Sequence, residues 1–188
     1  MAASSCADVG RRLLPWFVVV VALGLPDSVR GQEIFREISI RPYGSITLGA
    51  PFGQRDSLAT ELAPNVFALP PGFGGTNSIV VVLSSSGDVF ALIFEYGADR
   101  EFEAMLADYA TSLGEPDAVP ILKRTDAPVG GEVCALWEDD RTRFEIFETV
   151  GGDMPVLLSA MLDRTQSFPA GRCQIPRLLD LIREAKRG

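Results

Sequence analysis

Three carboxylates stand in a row at Glu138-Asp139-Asp140. Hard cations such as calcium take several oxygens from one loop, which makes the run a candidate cation site. Calcium loops alternate their ligands over about a dozen residues, and that spacing is missing here. A solvated hairpin turn, partly neutralised by Arg141 and Arg143, is the simpler reading. Glu95, Glu145 and Glu148 fall within or at the ends of strand-like segments. Two carboxylates about 5 to 10 Å apart can hydrolyse a glycosidic bond, but exposed charges on strands account for the same residues without catalysis. The chain has no histidine. That excludes Ser-His-Asp and Cys-His catalysis, His-ligated zinc or haem, and imidazole pH switching. No catalytic, cofactor-binding or metal-ligating residue is assigned, and no cofactor is expected.

The aromatic residues divide between core and surface readings. Tyr96, Trp137 and Phe147 could line a groove for an apolar ligand or peptide, although large aromatics on strands ordinarily pack inward. Phe73 stands between Gly72 and Gly74, where it has little local packing of its own. It is a possible partner contact, with a plug tucked beneath its loop as the alternative. The run Gly72-Phe73-Gly74-Gly75 lacks the Lys and Ser/Thr of a phosphate loop and leads into no helix, which argues against nucleotide binding.

Residues 1–31 read as a signal peptide. Arg11-Arg12 precede an apolar run from Leu13 to Leu25, and Val29 and Gly31 are acceptable small residues before a cut ahead of Gln32. A spanning helix needs about 17 apolar residues or more, so a membrane role is expected only if this segment is retained as an anchor. Cleavage removes Cys6 and leaves Cys134 and Cys173, an even number for an oxidising compartment. A disulfide between them would close a loop of about 40 residues and contribute near 4 kcal/mol by chain entropy. Two buried free thiols are the alternative, and no histidine is present to activate a catalytic thiol.

The net charge of -8 is spread along the chain rather than gathered in a tail. An acidic surface without a Lys/Arg cluster repels phosphate backbones, so nucleic acid is not expected as a partner. Lys occurs only at Lys123 and Lys186 and Asn only at Asn65 and Asn77. This bias fits GC-rich coding and a bacterial source.

Hydrophobic patterning supplies the elements that would position these residues. Glu33 to Arg41 reads as an edge or linker strand, Gln54 to Ala63 as a short helix ended by Pro64, and Asn65 to Asn77 as a Pro/Gly-rich loop. Ser78 to Ser84 and Asp88 to Tyr96 form a hairpin around Ser85-Ser86-Gly87. In the second strand Phe90, Leu92, Phe94 and Tyr96 alternate with Val89, Ala91 and Ile93, which marks a central strand apolar on both faces. Asp99 is placed to cap a helix that carries Phe102, Met105, Leu106, Tyr109 and Leu113 on one face and stops at Gly114. Val119 to Arg124, Glu132 to Glu138, Thr142 to Val150 and Val156 to Leu162 read as a four-stranded meander, followed by an amphipathic helix from Pro176 to Lys186.

The fold class expected is α+β, with a mainly antiparallel sheet of about six strands (a ββαββββ core) and a C-terminal amphipathic helix. Residues 32–76 and 77–188 are expected to form one domain. The stretch from the hairpin at Gly87 through Leu113-Gly114-Glu115-Pro116 to Trp137-Glu138-Asp139-Asp140 and Thr142 loosely resembles small exported bacterial domains, among them small proteins of outer-membrane assembly. No functional residue is carried over from that resemblance. Export and the absence of a catalytic constellation point to a periplasmic or secreted, non-enzymatic domain that recognises another envelope protein. The alternatives are a small-molecule or lipid-binding module walled by Ile79 to Leu83 and Phe90 to Tyr96, and a hydrolase using carboxylates alone.

Overall fold

The computed structural model describes residues 34–40, 44–53, 59–70, 75–119, 121–122, 131–150, 156–165 and 172–185, all within the unit Gly31–Gly188. The apolar run Leu13 to Leu25, with the cleavage point, and Phe73 lie outside them. Among the described residues no helix is long and apolar enough to cross a membrane.

The fold is α+β. Strands β1 (Glu37–Ile40) and β2 (Gly44–Thr47) pair with each other alone as an antiparallel ribbon. A first run of strands follows: β3 (Thr60–Ala63), β4 (Val66–Leu69), β5 (Thr76–Leu83) and β6 (Val89–Tyr96). Helix α1 (Phe102–Leu113) leads into a second run, β7 (Ile121–Leu122), β8 (Gly131–Glu138), β9 (Thr142–Val150) and β10 (Leu157–Asp163). Helix α2 (Ile175–Ala185) comes last. All eight strands of the main sheet pair antiparallel in the order β3-β4-β5-β6-β10-β9-β8-β7. Two four-stranded meanders are therefore joined where β6 meets β10, each meander followed by a helix.

The sheet is larger than the expected six strands because two segments read otherwise are strands. Leu58 and Leu62 suggested a helical face for Gln54 to Ala63, but its described C-terminal part is β3, paired with β4 through Thr60↔Ala68 and Glu61↔Phe67. Pro64 and Asn65 form the turn between them. Asn65 takes φ 64°, a left-handed value that Asn tolerates better than most residues. The expected loop from Asn65 to Asn77 accordingly contains β4. A second correction concerns α1. Its N-cap is the extended residue Glu101, which makes no side-chain cap hydrogen bond, and Asp99 lies two residues too early to serve. The stop at Gly114 is as expected, with φ 82° and its N–H donating to Ala110 O at 3.0 Å.

Both faces of the sheet are buried, as the two-sided apolar pattern of β6 requires. On the first face Ile79, Val81, Leu92, Phe94, Trp137, Phe144 and Met161 pack beneath Phe102 and Met105 of α1 and beneath Ile38, Ile40 and Ile46 of the ribbon. On the second face Ala91, Ile93, Phe147, Leu158, Ala160 and Leu162 pack beneath Ile175, Leu178 and Ile182 of α2. The alternation in β6 shifts at its start. Val82 pairs with Ala91 but Leu83 with Val89, leaving Phe90 as the extra residue of a bulge. Val89 consequently joins the first face while Phe90 packs toward the second.

Candidate functional site

The second face holds Glu145 and Arg143, the most deeply buried ionisable side chains among the described residues. Glu145 stands on β9 between Leu136 of β8 and Ala160 of β10, and its side chain is wholly buried. Alternation puts Arg143 and Phe147 on the same face, which is why a charged pair enters an apolar layer. Gln174 N–H donates to the two carboxylate oxygens at 2.8 and 3.0 Å, and Ile175 N–H donates to one of them at 3.0 Å. The Arg143 guanidinium lies 3.5 Å from the carboxylate, donates to Arg172 O at 3.0 Å and pairs with Glu138. Arg164 adds a second cation to Glu138 at 3.6 Å.

Cys134 and Cys173 form the disulfide expected from the sequence, joining β8 to the residue two before α2. A Glu145 carboxylate oxygen and both sulfurs lie within 4.8 Å of one another, and all three residues are buried. Burial pushes the Glu145 carboxyl up to about 7, against the opposing pull of the two backbone N–H groups and Arg143. Burial likewise draws the Arg143 guanidinium below its usual range, with Glu145 opposing. In the disulfide form the sulfurs are spent on each other. The carboxylate faces backbone donors rather than a cleft, so the cluster fastens α2 to the sheet.

The other sequence candidates separate in space. Glu148 is half-buried and, an odd number of positions from Glu145 along β9, points to the opposite face. Burial and the carboxylates of Glu103 and Glu101 raise its pKa. Glu95 is exposed and accepts from Ser78 Oγ at 2.7 Å. The three glutamates therefore do not converge as a hydrolytic group. At the β8–β9 turn Asp139 accepts from the N–H groups of Arg141, Thr142 and Ile34 at 2.8, 2.6 and 2.7 Å, Glu138 turns to Arg143, and Asp140 is exposed. These carboxylates diverge rather than forming one cage. Trp137 donates to Gly114 O at 2.8 Å and packs with Tyr109 and Phe144 on the first face, whereas Phe147 lies on the second. They line no common groove.

Sequence reasoning missed Arg36. Its guanidinium meets Asp163 at 3.2 Å, donates to Leu48 O at 3.0 Å and Thr142 Oγ1 at 3.2 Å, and also reaches Arg141 O. It binds the entry segment and the ribbon to the ends of β9 and β10. No sequence signal links residues so far apart. Gly49 makes the approach feasible: its φ is 77°, and a Cβ there would lie 2.6 Å from Asp163 Oδ2. Two shallow clefts flank this tie, one of about 480 Å³ beside Phe35 and Arg141, the other of about 270 Å³ beside Ser84 and Asp163. Of the segments Ile79 to Leu83 and Phe90 to Tyr96 that would wall a cavity, the smaller cleft draws on Phe90 alone and the larger on none.

Compared with known proteins, the chain matches no family model, no curated protein and no solved structure.

Proposed function

We propose that the protein is an exported, non-enzymatic α+β domain that acts by recognising another protein of the bacterial envelope. The observation that carries this reading is how Glu145, the best-buried carboxylate among the described residues, is used: its oxygens hold the backbone of α2 and are turned away from solvent. A carboxylate of raised pKa in a cleft would suggest proton transfer to a substrate, whereas one committed to backbone N–H groups is structural. The apolar strands β5 and β6 are likewise occupied by packing on both faces, which weakens the lipid-module alternative. The signal-like residues 1–31 and the disulfide support export. Recognition then falls to the surface, and Phe73 is the anchor we assign to it.

Native mass spectrometry of the protein drawn from its host's envelope fraction tests the reading. The expected spectrum contains a protein adduct that Phe73→Ala weakens at least tenfold. A small-molecule adduct instead would replace recognition with ligand binding, and Phe73→Ala retaining every partner would remove that residue as anchor. The denatured intact mass reports cleavage before Gln32 independently.

A further inference from the structure

Four ties converge on the four residues that lead into α2. Arg172 O accepts from Arg143, Cys173 is bonded to Cys134, and the N–H groups of Gln174 and Ile175 donate to Glu145. Beyond that point the buried apolar side chains of α2 are Ile175, Leu178 and Ile182. A helix of 11 residues is shorter than the length at which helices persist alone in water, so α2 owes its existence to docking. Among the described residues the covalent part of that docking is the disulfide. Both cysteines are buried, Cys134 at 0% and Cys173 at 8% residue exposure.

We propose that Cys134–Cys173 is a site of thiol–disulfide exchange with a dithiol, and that its reduction releases α2 from the second face of the sheet. The attacking thiolate forms a bond to Cys173 Sγ as the Cys134–Cys173 bond breaks, and Cys134 leaves as a thiolate. Cys134 takes a proton from solvent, with the Glu145 carboxyl within 4.8 Å of both sulfurs. The second thiol of the reagent then displaces Cys173, which takes a proton from solvent. The cystine gains two electrons and the dithiol becomes a disulfide. Once α2 departs, Glu145 meets water and releases its own proton. Its charged surroundings in the docked state are Arg143 on β9, with Glu138 of β8 and Arg164 after β10 linked through that guanidinium. The charged residues of α2, Arg177, Asp180, Arg183 and Glu184, face either solvent or one another.

This inference stands apart from the envelope-partner reading and fails separately from it. The test incubates the full native chain with dithiothreitol across pH 5 to 8, traps thiols by alkylation for mass measurement, and follows hydrogen exchange. Both cysteines are expected to alkylate at least tenfold faster than the protein unfolds globally. Amide protection in Ile175–Ala185 should fall at least tenfold while Val89–Tyr96 keeps its own. Reduction only at the global unfolding rate, or a reduced protein with α2 still protected, overturns the proposal. The pH dependence tests Glu145, because its carboxyl is pushed up to about 7 when docked and returns toward 4.5 when exposed. Between those values reduction releases the Glu145 proton, so the equilibrium should move toward the reduced protein about tenfold per pH unit. Glu145→Gln should abolish that slope. A wild-type equilibrium that ignores pH in this range removes Glu145 from the exchange, with or without a folded variant.

Discussion

At the scale of single residues, Glu145 carries a cost and a benefit that pH separates. In the fold its carboxyl keeps a proton up to about 7, whereas the unfolded chain releases it near 4.5. The fold binds more protons between those values, so stability is full below about 4.5 and declines as pH rises through about 7. The decline should be on the order of 3 kcal/mol. Urea unfolding from pH 4.5 to 8 measures it, and Glu145→Gln should remove most of the slope. Glu145→Ala leaves two buried N–H groups without their acceptor, so a loss of about 3–5 kcal/mol is expected near pH 4.5, shrinking toward pH 8 by as much as the parent itself declines. A variant as stable as the parent would mean that these hydrogen bonds do not hold α2. The sequence offered Glu145 as one of three acids on strands. Its burial was not legible, because only the arrival of residues 172–175 from a distant part of the chain turns an edge charge into a buried acceptor.

At the scale of elements, legibility followed the locality of the signal. The hairpin around Gly87, helix α1 with its stop at Gly114, and the amphipathic α2 each announce themselves within a dozen residues, and each is present. β3 and β4 failed that test. Four-residue strands carry too little alternation to outweigh a Leu-x-x-x-Leu spacing, and Pro64 ends a helix as readily as it opens a turn. What decides between the readings is Asn65 at φ 64°, which reverses the chain and lets β3 pair with β4 through Thr60↔Ala68 and Glu61↔Phe67. Asn65→Gly should therefore leave stability within about 0.5 kcal/mol of the parent, whereas Asn65→Val should cost about 1–2 kcal/mol. Chemical unfolding of the two variants side by side checks this. An Asn65→Val protein as stable as the glycine variant would mean that the turn is not built on a left-handed residue.

At the scale of the molecule, the antiparallel α+β class and the second meander were readable because successive strands joined by short turns pair with their neighbours. How the two meanders meet was not readable. The pairing runs from Leu158↔Glu95 to Leu162↔Ala91, between residues more than sixty positions apart, and no short-range pattern specifies it. That seam makes one sheet of two halves. Tyr96 and Ser159 add a hydroxyl contact of 2.9 Å across it. Neither half could stand without the seam, because β6 and β10 would each become an open edge lined with buried apolar side chains on both faces. Unfolding should consequently be a single transition, with amides of β5 and of β9 losing protection at the same free energy. Tyr96→Phe removes one partner of the contact and should lower that common value by about 1 kcal/mol in both meanders alike. Hydrogen exchange under mild denaturant reads the two halves separately. A shift confined to one meander, or two resolved transitions, would mean that the β6–β10 seam couples them weakly and that each meander keeps its own core.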